Sequence, residues 1–260
     1  MKNVIYAGNW KMNKTNLEAE SYADEILNLI EQNNLNDKKI IICPPFTSIN
    51  TLAKKLKGSN VKVGAQDIFS ESNGTFTGCI SAEMVAGAGA EYVIIGHSDR
   101  RNKFGESDEI VAKKVNLALG VGLKPILCVG ETLQQRNDNM TMQVLTEQLT
   151  IALADVAAAD YSNIIIAYEP VWAISSGKVQ KGSKSQAANS ATAGLDCMNI
   201  RKLLRDKFGE STDAIAILYG GSMNSSNCKE FFAQDEISGG LMGAASLSAS
   251  DFIEVMLNEE

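Results

Sequence analysis

The chain contains one histidine, His97, in the stretch Gly96-His97-Ser98-Asp99. Glu169 ends another stretch: it follows the apolar residues 164–168 and precedes Pro170. Lys11 stands in Gly8-Asn9-Trp10-Lys11, and two glycine-containing turns, Gly220-Gly221-Ser222 and Gly243-Ala244, lie near the C-terminus. A carboxyl between Tyr168 and Pro170 at the end of an apolar run loses water, which raises its pKa toward that of a working base. An imidazole beside polar groups can donate a proton or a hydrogen bond to a developing oxyanion. His97 makes a poor metal ligand, because no second histidine or clustered cysteine stands by to join it. Each residue also has an ordinary reading. A lone histidine is more often structural, a lysine after a strand is normally solvated, and glycine turns are more often only turns.

The elements that carry these residues shift the balance. Short apolar runs recur at residues 4–7, 40–43, 61–65, 92–95, 125–129, 164–168, 215–219 and 239–242. Each is too short for a helix and nearly continuous in its apolar residues, as buried parallel strands are. Amphipathic helical patterns fall between them. Residues 17–30 place Leu17, Tyr22, Ile26, Leu29 and Ile30 at near-helical spacing. Residues 108–119 begin with acidic side chains, as helix N-termini favour. Residues 141–154 and 251–257 read the same way, and a further helix is expected near residues 199–208.

Eight strands alternating with helices form either a closed (β/α)8 barrel or a doubly wound open sheet. The count of eight, the absence of GxGxxG after the first strand and the end of the chain at the eighth unit favour the barrel. In such a barrel the site lies at the C-terminal ends of the strands. Lys11, His97 and Glu169 then share one mouth with two glycine turns after strands seven and eight, where phosphate sites commonly form. Residues 175–193, rich in Ser, Gly, Ala and Lys, read as a mobile loop.

Composition narrows the partners. Hydrophobic residues make up 45% and charged residues 21%, an ordinary globular balance, and the net charge of −7 argues against a nucleic-acid surface. A small anion is still bindable, because a few aimed N–H groups suffice. The five cysteines, Cys43, Cys79, Cys128, Cys197 and Cys228, are odd in number and include no CxxC pair, which points to reduced thiols in a cytosolic protein. No signal-like or membrane-spanning apolar run is present, so a soluble cytoplasmic protein with no membrane partner is expected.

Taken in order, Gly8-Asn9-Trp10-Lys11-Met12-Asn13, residues 92–101, residues 167–174 and Tyr219-Gly220-Gly221-Ser222 resemble the triosephosphate isomerase family. Cys43-Pro44-Pro45-Phe46, Gly64-Ala65-Gln66, Phe104-Gly105-Glu106-Ser107, residues 128–132 and residues 243–247 extend the resemblance over the whole chain. It implies a (β/α)8 TIM barrel, one domain spanning residues 1–260, that interconverts dihydroxyacetone phosphate and glyceraldehyde 3-phosphate without a cofactor or metal. Glu169 would be the base and His97, neutral because it opens a short helix, the electrophile; this pairing is an established feature of the family. Lys11 would face the enediolate and phosphate with its charge, oriented by Asn9. Residues 170–177 would form a hinged lid that excludes water. Ser175, Ser222, Gly243 and Ala244 would give N–H groups to the phosphate. The family also implies a homodimer, with residues 73–79 beside the partner's site and Phe76 and Thr77 at the contact.

The chain departs from the family pattern at several places. Asp99 stands where the family has glutamate, Ser175-Ser176-Gly177-Lys178 where the lid has Gly-Thr-Gly-Lys, and Ala244 where the eighth turn has its second glycine. Cys79 replaces an acidic residue, the usual hinge after Lys178 is missing, and about eight extra residues precede Ile200-Arg201-Lys202. These departures motivate an alternative: a catalytically impaired barrel that binds a phosphorylated ligand or a protein partner. A nucleotide-dependent dehydrogenase lacks its fingerprint here.

Overall fold

Segments that are apolar on both faces bury both only when helices cover one side and a packed interior the other. The computed structural model describes residues 4–174 and 188–259. Its elements run β1 (Ile5–Asn9), α1 (Asn16–Gln32), β2 (Lys39–Cys43), α2 (Ile49–Lys55), β3 (Val61–Ala65), α3 (Ala82–Gly87) and β4 (Tyr92–Ile95). Then follow α4 (Ser98–Phe104), α5 (Asp108–Gly120), β5 (Lys124–Val129), α6 (Leu133–Asn137), α7 (Thr141–Ala152) and β6 (Ile165–Tyr168). The remainder is α8 (Ser190–Phe208), β7 (Ala216–Tyr219), α9 (Cys228–Phe232), β8 (Gly239–Met242) and α10 (Ala249–Leu257). The strands pair in sequence order, all parallel, and β1 also pairs with β8, so the sheet closes into a (β/α)8 TIM barrel.

Side chains alternate along each strand, and the core divides accordingly. In β2, Ile41 and Cys43 pack with Ile5, Ala7, Ile94, Ile126 and Cys128 inside the barrel, while Ile40 and Ile42 pack under the helices. Gly8 of β1 lets a neighbouring turn approach: a Cβ there would lie 2.8 Å from the Cβ of Ser246. That contact sets the turn after β8 against the end of β1.

Two expectations need correction. The helix expected near residues 199–208 begins at Ser190, capped by the Asn189 side chain on the N–H of Thr192. Part of the expected loop at residues 175–193 is therefore helical, because Asn189 supplies the N-terminal acceptor that the Ser/Ala-rich composition hid. Leu17, counted on the apolar face of α1, is 73% exposed; Ala19 and Ala23 take the inward positions with Tyr22, Ile26 and Ile30.

Candidate active site

The strand ends bring the chemically active residues together. Asn9 closes β1, and its Oδ1 accepts the backbone N–H of Lys11 at 3.0 Å. The carbonyl of Lys11 accepts from Gln66 Nε2 at 2.8 Å. These two bonds hold Lys11 in a left-handed backbone conformation, φ 52°, that a non-glycine residue adopts only when its surroundings impose it. His97 follows β4 and caps α4: its Nδ1 accepts the N–H of Asp99 at 3.0 Å. A ring nitrogen that accepts carries no proton, so the neutral ring has its proton on Nε2. The Asp99 carboxylate lies 3.6 Å from Nδ1, beyond hydrogen-bond reach, and does not compete for that nitrogen.

Glu169 follows β6 and is 2% exposed. Its Oε1 stands 3.1 Å from His97 Nε2, and its Oε2 accepts the N–H of Ser98 at 3.2 Å. The imidazole and the carboxyl thus stand within ion-pair distance of each other at the N-terminus of α4. Two glycines frame the glutamate. A Cβ on Gly130 would fall 1.9 Å from the Glu169 carbonyl oxygen, and one on Gly220 would fall 2.6 Å from Glu169 Cγ.

Asp99 receives Lys11 Nζ at 3.1 Å and Lys103 Nζ at 2.6 Å. Burial works against its ionisation, but the hydrogen bond to Lys103 and the charge of Lys11 outweigh it and hold the carboxyl at about 2. Asn9, Lys11, His97 and Glu169 border one cavity of about 700 Å³ at the barrel mouth, which the turns at residues 220–222 and 243–244 also line. The N–H of Ser222 is given to the carbonyl of Ala173 at 3.1 Å. Gly243 lies against the stem of Lys11: a Cβ there would be 3.8 Å from Lys11 Cε.

A family profile described as "Triosephosphate isomerase" matches residues 4–259. The chain belongs to the triosephosphate isomerase family. Curated triosephosphate isomerases from Endomicrobium trichonymphae and Chloroherpeton thalassium are 41% and 43% identical to it. The first alignment covers 98% of both chains and the second 100% of both. A crystal structure of triosephosphate isomerase from Bartonella henselae superposes with a TM-score of 0.86 at 39% identity, covering 98% of each chain.

Among the residues that likeness to triosephosphate isomerases singled out, Asn9, Lys11, His97, Glu169, Ser222, Gly243 and Ala244 meet around the cavity. Asp99 stands behind it, on Lys11. Ser175 lies outside the described residues, as does the lid sequence from there through Lys178. Val171–Ala173 is a 3-10 turn tied by the Val171 N–H to the carbonyl of Glu131 at 3.0 Å.

Sequence reasoning missed two polar clusters. In one, the Tyr168 hydroxyl reaches Asp196 at 3.0 Å and Glu131 at 3.2 Å, Arg136 bridges the same two carboxylates, and Trp172 Nε1 donates to Glu131 at 2.9 Å. Burial, with Glu131 and Asp196 adding to it, drives the Tyr168 hydroxyl far above its usual range, so it stays a donor. In the other, buried Lys114 binds Asp67 and Glu106, each at 2.6 Å, and Arg100 binds the same pair. Burial pushes Asp67 up to about 6 although Lys114 pulls it down. The partners are 47 and 8 residues from Lys114, spacings that no local motif announces.

Proposed function

We propose that the protein interconverts dihydroxyacetone phosphate and glyceraldehyde 3-phosphate by moving one proton between adjacent carbons through an enediolate. The observation that carries this reading is the contact of Glu169 with His97 Nε2, 3.1 Å long, in a cavity that also holds Lys11. Entry of the substrate separates the pair. The Nε2–H of His97 turns to the carbonyl oxygen, and Glu169 leaves the Ser98 N–H to take the proton from the neighbouring carbon. The electron pair of that C–H bond becomes the C=C bond of the enediolate while the carbonyl π pair moves onto the oxygen, where His97 and Lys11 face the new charge. The former carbonyl oxygen takes up a proton from His97 Nε2, the hydroxyl on the adjacent carbon gives its proton back to that nitrogen, and Glu169 returns its own proton to the other carbon as the new carbonyl forms.

The phosphate is assigned to N–H groups of Ser175, Ser222, Gly243 and Ala244. Ser222 gives its N–H to the carbonyl of Ala173. Phosphate capture therefore exchanges that carbonyl for a phosphate oxygen, which couples binding to displacement of the 171–173 turn. Closure over the enediolate excludes water and hinders loss of phosphate. The departures at Asp99, Ser175 and Ala244 leave base, electrophile and lysine in place, so the catalytic reading stands ahead of a barrel that only binds.

The same reading makes the protein a cytoplasmic homodimer. Exposed apolar side chains support association: Met12 is 96% exposed, and Phe46, Phe76 and Met84 are also open to solvent. No helix among the described residues is long and apolar enough to cross a membrane. Turnover measured in both directions by coupled assays, with sedimentation at the assay concentration, tests the proposal. Absence of turnover in the purified protein overturns the function, and a fully active monomer overturns the dimer.

A further inference from the structure

The cavity has an electrostatic problem to solve. Its proposed substrate carries a phosphate, and the whole chain carries −7. Among the described lining residues Lys11 is the sole lysine or arginine, while Glu169, Asp251 and Glu254 are acids. Lys11 is itself paired with Asp99 at 3.1 Å. A lysine and an aspartate in contact present a dipole to an approaching anion, not a charge, and the dipole's field falls off faster with distance than a charge's.

Lys103 changes this balance. It lies four residues after Asp99 on α4 and binds the other carboxylate oxygen, Oδ1, at 2.6 Å, while Lys11 keeps Oδ2 at 3.1 Å. The group of three carries a net positive charge. The split also fixes geometry. The Lys11 backbone is pinned at its N–H by Asn9 and at its carbonyl by Gln66, so only the far end of the side chain is adjustable. With Oδ1 engaged by Lys103, Asp99 meets Lys11 through one oxygen. Without Lys103, both oxygens are free to close on Nζ and draw it back from the cavity. Asp99 is charged throughout the neutral range, since its carboxyl sits at about 2.

We infer that Lys103 is a positioning residue of the isomerase site, which acts through Asp99 to keep the charge of Lys11 available to the substrate phosphate. The inference rests on the function proposed above. A purely structural Lys103 would support the last turn of α4 and nothing else. The two roles predict different measurements. Lys103→Met should raise KM for glyceraldehyde 3-phosphate about two- to five-fold at low ionic strength, the range of a solvent-screened charge pair. It should leave kcat within about two-fold, because reacting groups are untouched. The dissociation constant of inorganic phosphate, read by calorimetry, should rise by the same factor as KM. Both effects should fade in about 0.5 M salt, where the screening length drops well under 10 Å. Lys103→Arg should restore the parent values.

Thermal denaturation and sedimentation of each variant separate these effects from unfolding or dissociation. An unchanged KM and phosphate affinity in Lys103→Met at low salt overturns the inference, as does a loss confined to kcat or one that salt does not relieve. The phosphate measurement needs no turnover. An inactive parent protein would therefore count against the proposed function while still deciding the role of Lys103.

Discussion

Gly220 offers a way to displace the base by a set amount without touching it. The residue follows β7, its N–H donates to the carbonyl of Tyr168 at 2.8 Å, and its φ is not in the left-handed region, so alanine fits the backbone. The added Cβ of Gly220→Ala would stand 2.6 Å from Glu169 Cγ, whereas ordinary contact begins near 3.4 Å. The backbone of Glu169 cannot retreat, because its carbonyl already closes on Gly130. The side chain must therefore turn away by about 1 Å, a misplacement that costs about 10²-fold in rate, or roughly 2.7 kcal/mol of barrier. The added methyl overpacks a buried site, so folding should lose about 1–3 kcal/mol. The assay is kcat for both triose phosphates, with denaturation midpoints measured in parallel. Gly120→Ala at the end of α5, where a Cβ would meet nothing within 4 Å, is the control and should keep full kcat. Retention of kcat within about two-fold by folded Gly220→Ala would refute the geometric argument.

Three further outcomes follow from the site. Glu169→Gln should lower kcat by about 10²–10⁴-fold in the coupled assay while inorganic phosphate still binds; near-full turnover removes Glu169 as the base. Asp99→Glu should raise kcat/KM if the shorter acid holds Lys11 away from its best position, and an unchanged value shows the site to be adapted to aspartate through Lys103. Lys114→Met should cost about 3–5 kcal/mol at neutral pH, because it leaves Asp67 and Glu106 buried with Arg100 alone. The folded-state pKa of Asp67, about 6, lies above its ordinary value of 3.8. The folded chain thus binds the extra proton, and the contribution of Asp67 to stability is present at low pH and lost as pH rises through about 6. The gap between Lys114→Met and the parent should narrow when urea midpoints are compared at pH 7 and pH 5; a gap that widens refutes the charge argument.

The barrel was legible because continuous apolar runs encode strands buried on two faces. Residues 61–65, 92–95 and 239–242 are strands with those boundaries, and the other five differ by one or two residues. Strand ends then located Lys11, His97 and Glu169, since a barrel has one mouth. Short helices such as α3, α6 and α9 escaped, being too brief to show a period. The start of α8 escaped because its cap, Asn189, sits in a stretch whose composition reads as loop. The contacts that tune the site were invisible for a different reason. Lys11 meets Asp99 across 88 residues, Glu169 meets Ser98 across 71, and the Glu169 carbonyl lies so near Gly130 that it leaves no room for a Cβ there. Such pairs meet only once the strands are assembled side by side and their ends gathered at one mouth.

Cys79 is exposed, and Cys43, Cys128, Cys197 and Cys228 are buried. The thiols of Cys43 and Cys128 are further suppressed, since burial raises them well above the usual thiol range. The chain thus carries one addressable sulfur, and that sulfur ends the 73–79 segment assigned to the subunit contact. In the separated chain a maleimide dye reaches this position and in the assigned dimer the contact covers it, so the rate of labelling reports subunit dissociation without any engineered cysteine.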